Sequence, residues 1–525
     1  MNKCLLQQSY ILFCISILAA NAESQTVDRS TAELRVGPNV SRHPNIVYIL
    51  ADDLGYGDVH ALNPERGKIL TPNLDRLASQ GMRFTDAHSG SSVCTPTRYG
   101  LLTGRYAWRT HLQRGVLDGS DDPPLIAEGR LTIASLLKQN GYQTAAIGKW
   151  HLGFGSELPK ATETVQRETI ASETVKKGKK GDNGLPIGSQ IIDGPMTRGF
   201  DYFWGCSNAR TMSGLIENEQ VIENIQPITM LPRLGQRAVA YIDEHAVDAK
   251  AGKPFFLYLP LTSPHTPILP TPEWQGKSGL GDYGDFVMQT DAVVGDVLAA
   301  LDKAAIADNT LVFFTADNGC SPAAGTPKLE KQGHFASAAF RGYKADIWDG
   351  GHRVPFLVRW PDKIAAGLQS SQTICHVDLM ATCAEILGVK LPESAGEDSV
   401  SILPALLGSD KSPLRAAVVH HSIDGMFAIR HGKWKLEFCS GSGGWASPKD
   451  AAATQQGLPS VQLYDLEDDI GETKNLHADY PEVVSQLTAL LQQYVDKGRS
   501  TPGQQQSNDV KVSFVKTITK NKKAK

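Results

Sequence analysis

A chain of 525 residues with ordinary apolar content and 49 glycines has room for one large domain and a smaller one, and enough apolar side chain to bury a sizeable core. Its formal net charge of −4 argues against a nucleic-acid binder, because neutralising phosphates needs a basic excess.

The first element is "MNKCLLQQSYILFCISILAANAESQ". One lysine precedes an apolar run from Tyr10 to Ala20, and Ala20-Asn21-Ala22 fits a small-x-small cleavage site. The pattern predicts a secretory signal over residues 1–22, hence an exported protein, periplasmic or extracellular if bacterial. An uncleaved anchor is the competing reading, but the run is short for a bilayer span, and no other segment is long and apolar enough to span one. Residues 23–43 read as a polar leader. Beyond the signal six cysteines remain, Cys94, Cys206, Cys320, Cys375, Cys383 and Cys439, too few for a disulfide scaffold. Their pairing is not readable.

"NIVYILADDLGYGDV" predicts a buried parallel strand that stops at Asp52-Asp53. "TPNLDRLASQG" predicts a helix with Thr71 as N-cap, Pro72 at its first position and Gly81 as its stop. "CTPTRYGLLTGRY" then sets Cys94 among small and polar residues, where a disulfide half, a buried thiol and a reactive group are all open readings. "TIASLLKQNGYQTAAIGKWHLG" reads as helix, glycine stop and strand, ending in Lys149-Trp150-His151. If that end stays extended, Lys149 and His151 face one side. Residues 157–193, rich in Lys, Glu, Thr and Gly, read as a solvated insertion.

"KPFFLYLPLTSPHTP" is a strand running into a proline-rich loop that holds His265. "FVMQTDAVVGDVLAALDKAAI" is a long amphipathic helix, "NTLVFFTADNG" a strand ending at Asp317-Asn318, and "VPFLVRWP" one more strand. This alternation predicts a doubly wound α/β sheet over residues 44–414. The texture then changes. "MFAIRHGKWKLEF" and "VQLYDLEDD" read as antiparallel strands and "PEVVSQLTALLQQYV" as a closing helix, giving a smaller α+β region over 415–505. Residues 506–525 read as a mobile basic tail.

Ligands of open α/β sheets bind beyond the carboxyl ends of the strands. The polar residues expected there are Asp52, Asp53, Lys149, His151, His265, Asp317 and Asn318, with Arg98 and Lys344 on connecting segments. Three carboxylates and a carboxamide form an all-oxygen set that favours Ca²⁺ or Mg²⁺ over zinc, although for Asp52-Asp53 taken alone a strand-end turn or helix cap is the commoner explanation. Cations beside such a metal imply an anionic substrate group such as a sulfate or phosphate ester.

"CTPTRYGLLTGRY" resembles the signature of the type I sulfatases of the alkaline phosphatase superfamily, with its C-x-P-x-R core and following L-T-G-R. "NIVYILADDLGYGD", "GKWHLG", "SPHTP", "TADNG" and "GYKADIWDGGHRVP" resemble further motifs of that family, in its order, and "LYDLEDDIGETKNL" resembles its second domain. The resemblance implies an alkaline phosphatase-like mixed sheet with a smaller C-terminal domain. It also implies that a formylglycine-generating enzyme oxidises Cys94 to formylglycine, reading Pro96 and Arg98. Thr97 stands where serine or alanine is commoner and keeps a hydroxyl.

By the same resemblance Asp52, Asp53, Asp317 and Asn318 bind one Ca²⁺, which the modified Cys94 also meets. Arg98 steadies the hydrated aldehyde, Lys149 and Lys344 hold sulfate oxygens, His265 is the acid at the leaving oxygen, and His151 the base of the second step. A serine could attack sulfur but lacks the second hydroxyl that expels sulfate. The implied substrate is a sulfated carbohydrate, with a small aryl sulfate as a model. Two alternatives stay open: a phosphate mono- or diesterase of the same superfamily, and a non-catalytic binder of sulfated polymer if Cys94 is unmodified. In "GFDYFWGCSNARTMSGLIENEQVI", Ser207, Asn208 and Arg210 either contact the substrate or only order their loop.

Overall fold

The computed structural model describes residues 43–117, 122–157, 185–410 and 412–516. The expected signal, nearly all of the leader, most of the insertion and the last residues of the tail lie outside these.

The strand Asn45–Ala51 sits at the centre of a twelve-stranded sheet, parallel to Phe255–Pro260 on one side and Thr310–Ala316 on the other. Gln143–Lys149 and Tyr202–Cys206 extend the parallel set beyond Phe255–Pro260. Each edge turns antiparallel: Phe356–Arg359 pairs with Thr310–Ala316, and Gly214–Glu217 with Tyr202–Cys206. The central strand is apolar throughout because both its faces are covered. Val47, Ile49 and Ala51 join one core with the helices Met230–Lys250 and Asp282–Lys303. Ile46, Tyr48 and Leu50 join a second core with the helices Cys94–Thr103, Ile133–Gln139 and Leu379–Leu387. This is the mixed, doubly wound sheet that the sequence predicts.

The helix Pro72–Gln80 starts and stops where expected, for different reasons. Thr71 does not cap it; its hydroxyl accepts from the His60 amide and donates to Asp75. Gly81 is not in a left-handed turn. A Cβ there would sit 2.0 Å from the Val358 carbonyl, so glycine lets the chain pass under a neighbouring strand.

Two expectations are corrected. The ends of the 157–193 segment are not simply solvated, since Gly155–Glu157 and Gln190–Asp193 form the outermost pair of the large sheet. The tail is ordered over its described residues, 506–516. Asp509 pairs with buried Arg105 at 2.9 Å, and Phe514 is buried against Phe427 and Phe438.

After residue 415 four antiparallel strands, Val418–His421, Phe427–His431, Trp434–Glu437 and Gln462–Asp465, carry the helix Pro481–Asp496. Tyr106 and Trp108, just past the Cys94 helix, join that sheet's core. Among the described residues all six cysteines are free thiols, and no helix is long and apolar enough to cross a membrane.

Candidate active site

Parallel register assembles the floor of the site. Ala51 pairs with Ala316, so the next residues on each strand, Asp52 and Asp317, emerge side by side at the carboxyl edge. Asp53 turns back in a left-handed conformation (φ 65°), and its amide donates to Asp317 Oδ1 at 3.2 Å. Asn318 Nδ2 donates to Asp53 Oδ1 at 2.8 Å, which fixes the carboxamide flip and leaves its oxygen free. Asp52 Oδ1, Asp53 Oδ2 and Asn318 Oδ1 are all buried without a hydrogen-bond partner. Orphaned oxygens in a dry site are costly unless something binds them. Three convergent hard donors, with Asp317 beside them, suit an oxygen-preferring divalent cation.

Cys94 is the first residue of a ten-residue helix whose every residue is buried. Its thiol groups with Asp52 and Asp317 within 4.8 Å. Burial pushes the thiol up, against the pull of Lys149 and Lys344. Thr97 returns its hydroxyl to the Ser91 carbonyl at 3.0 Å, closing the turn that presents Cys94. One turn on, fully buried Arg98 grips Asp317 Oδ2 through Nε (3.0 Å) and Nη2 (2.8 Å) and donates to the Lys149 carbonyl at 2.8 Å.

The two lysines reach the same floor from opposite sides. Lys149 Nζ lies 2.7 Å from Asp52, and Lys344 Nζ 2.5 Å from Asp53. Lys344 gets there because Ala345 is held with φ 82° and donates to the Ser92 carbonyl at 2.8 Å. Three carboxylates thus face three cations, and a bound divalent ion would leave the site positive toward an anionic ester.

His151 shares the cavity with Lys149, but not through strand alternation: its φ is 57°, so the extended geometry expected for this end is replaced by a left-handed kink. Its Nε2 sits 2.7 Å from the Leu117 carbonyl, which can only accept. The ring proton is therefore on Nε2, and buried Nδ1, without a partner, is a free acceptor. His265 donates from Nδ1 to the Thr266 carbonyl and turns Nε2 to Asp53 Oδ2 at 3.7 Å. Burial pushes both imidazoles well below their usual range, reinforced by Lys149 at each; Asp53 opposes the shift at His265.

Cys94, Lys149, His151, His265 and Lys344 line one cavity of about 130 Å³ with Asn208 and Arg210. Of the loop residues left open by sequence, Ser207 is used structurally, its carbonyl accepting the His151 amide at 2.7 Å. Sequence reasoning missed Ile423 and Trp445, which line the same cavity from the C-terminal region. A glycine-rich "GSGGW" is the only local signal, and nothing in it reveals which distant residues it meets.

This constellation is that of an esterase for a charged oxyacid ester, with a cation site beside the helix-start residue. A sulfatase family model matches residues 44–389, and a model for the C-terminal region of aryl-sulfatases matches residues 414–522. The chain is 34% identical to an N-acetylgalactosamine-6-O-sulfatase of Bacteroides thetaiotaomicron over 86% of this chain and 93% of that one. It is 35% identical to human arylsulfatase A, covering 87% and 89%. A solved structure from a glycosaminoglycan-metabolism locus of Bacteroides thetaiotaomicron superposes with a TM-score of 0.72 at 30% identity, covering 86% of this chain and 99% of that one. The chain belongs to the type I sulfatases of the alkaline phosphatase superfamily. It is an enzyme that hydrolyses sulfate esters.

Proposed function

We propose that this sulfatase works through a formylglycine made from Cys94 and a Ca²⁺ ion held by Asp52, Asp53, Asp317 and Asn318, and that its substrates are sulfated carbohydrates. The supporting observation is the placement of Cys94 at a buried helix start, inside a C-x-P-x-R sequence, against three unpartnered oxygens and two lysines. The carbohydrate class is supported by the likeness to an N-acetylgalactosamine-6-O-sulfatase. Export by the residue 1–22 signal and maturation by a formylglycine-generating enzyme belong to the same reading.

Formylglycine, once hydrated, would supply two hydroxyls on one carbon, one able to attack sulfur and one able to expel sulfate, and a bound Ca²⁺ would supply positive charge to the ester oxygens. The chain's own residues do the rest of lowering a barrier of the size enzymes reduce by about 8–23 kcal/mol. Arg98, locked on Asp317, holds the modified residue's position. Lys149 and Lys344, which line the cavity, hold the non-bridging oxygens and offset their charge before the reaction begins. His265 delivers a proton from Nε2 to the leaving oxygen; Asp53 and the anionic ester favour the second ring proton this requires. His151 accepts a proton at its free Nδ1 when sulfate is expelled.

Mass spectrometry of the peptide containing Cys94 tests the reading, together with parallel assays on sulfate and phosphate esters. The expected result is the mass of formylglycine, with sulfate released far faster than phosphate. An unmodified cysteine in active protein would overturn the formylglycine assignment. Cys94→Ala is expected to abolish turnover and leave the fold intact, since only a small side chain at a helix start is lost; near-normal turnover would contradict the role.

A further inference from the structure

The outer wall of the cavity comes from beyond the catalytic sheet. Trp445 lies in the "CSGSGGWASP" loop that follows the strand Trp434–Glu437. Fully buried Asp346 accepts both the Trp445 and Ala446 amides at 2.9 Å with one oxygen, and the Tyr343 amide at 3.0 Å with the other. The Ile347 amide donates to the Ser442 carbonyl at 2.7 Å. A Cβ on Gly444 would lie 2.2 Å from the Ala345 carbonyl, so the loop rests directly on the segment that carries Lys344. The backbone is pinned, yet the indole is 41% exposed and faces no other ring or cation among the described residues. A rigidly mounted, uncovered indole on the cavity wall offers a large apolar face to a ligand.

Two further groups on the same cavity lack protein partners. Asn208 is 4% exposed; its oxygen accepts the Arg210 and Thr211 amides at 2.8 and 3.1 Å, whereas its Nδ2 is buried with no acceptor. Arg210 is exposed and makes no ion pair among the described residues. An unsatisfied buried donor marks a place where a ligand oxygen belongs. A free guanidinium matches the paired oxygens of a carboxylate or sulfate.

We propose that Asn208, Arg210 and Trp445 form a sugar-binding mouth, so that the C-terminal region helps choose the substrate. Trp445 stacks on the C–H face of the pyranose that carries the sulfate. Asn208 Nδ2 donates to an oxygen beside the ester. Arg210 pairs with a second anionic group on the neighbouring sugar. This deepens the reading that the substrate is a sulfated carbohydrate and rests on it.

The test separates binding from chemistry. Calorimetry on Cys94→Ala protein, which has no group to attack sulfur, measures Kd for a sulfated N-acetylhexosamine, and for that sugar linked to a uronate or to a second sulfated residue. Adding Trp445→Ala is expected to weaken all three by about tenfold, and Trp445→Phe to restore them to within about threefold. Arg210→Ala is expected to weaken the two anionic disaccharides by about tenfold and the monosaccharide by less than about threefold. Unchanged Kd in a Trp445→Ala protein with the parental melting temperature would overturn the proposal, as would failure of the Cys94→Ala parent to bind any of the three. Sulfate release from 4-nitrophenyl sulfate by the unsubstituted enzyme reports the chemistry separately. Release with Kd indifferent to Trp445 removes the mouth and keeps the reaction; the Kd pattern without release keeps the mouth and removes the reaction.

Discussion

At the scale of single residues, the site is a set of charges that hold each other in place. Asp317 anchors Arg98 and faces the proposed ion, so its removal has two separable effects. Asp317→Ala strands a buried guanidinium, at about 3–5 kcal/mol. Asp317→Asn keeps an oxygen for Arg98 but loses a negative ligand. Metal analysis of the folded Asn variant is expected to show lost calcium together with lost activity; a full calcium complement would contradict the ligand assignment. The two cationic roles differ in leaving-group dependence. Non-bridging oxygens carry charge throughout, whereas the bridging oxygen gains it only as the bond breaks. Lys344→Ala is therefore expected to slow an activated aryl sulfate and a sugar sulfate by similar factors. His265→Ala should slow the sugar sulfate at least about tenfold more. The measurement is kcat/KM on both substrates. Equal losses for His265→Ala would take the acid role from it, and a steep leaving-group dependence for Lys344→Ala would move that role there.

At the scale of elements, the strand ends that carry these residues depend on close backbone contact. Gly148 and Gly205 pair across neighbouring strands, one residue before Lys149 and Cys206. A Cβ on Gly205 would lie 1.9 Å from the Gly148 carbonyl oxygen and 2.9 Å from its amide nitrogen, both backbone atoms that cannot swing aside. Gly205→Ala is expected to cost about 1–3 kcal/mol, the usual range for overpacking, and to lower kcat by displacing Lys149. Denaturant midpoints and turnover of the purified variant check both, and an unchanged midpoint would show that the strands separate more easily than this contact implies. The strand Gln143–Lys149 reads plainly in "QTAAIGK", because its apolar run and the Gly141 stop of the helix before it are local. The kink at His151 does not, because a non-glycine residue with positive φ is imposed by surroundings rather than by its own preference.

At the scale of the whole molecule, the C-terminal sheet is a structural part of the catalytic unit. The Ser92 amide, two residues before Cys94, donates to the His421 carbonyl at 3.1 Å. Behind it His88, His352 and His420 cluster at the junction, with His352 and His420 stacked at 3.8 Å. Asp86, Asp349, Lys435 and Arg430 surround them. Burial holds all three below the usual 6.5, and lowers His421 to about 4. The unfolded chain then binds more protons than the native one below pH 6.5. The resulting stability is complete above that pH and is lost as pH falls toward the native values, at up to about 1.4 kcal/mol per pH unit for each histidine. Urea unfolding is expected to show stability falling between pH 7 and pH 5, with a shallower slope for His420→Gln. A flat profile would mean the junction opens before the protein unfolds.

Local patterning in the sequence determined five of the twelve strands of the large sheet, Asn45–Ala51, Gln143–Lys149, Phe255–Pro260, Thr310–Ala316 and Phe356–Arg359, through their apolar β-branched runs and the polar residues at their ends, whereas the roles of Cys94, Arg98 and Lys344 came from the family resemblance. It left Ser207, Asn208 and Arg210 open, read the tail as mobile and said nothing of Trp445. Those outcomes depend on contacts between residues far apart in the chain. The Trp445 loop is set by Asp346, 99 residues away, and the tail by Arg105, 404 residues from Asp509. Local pattern carries no record of such partners. Only the folded chain decides that Trp445 stands on a cavity that is also lined by Cys94, 351 residues earlier in the chain.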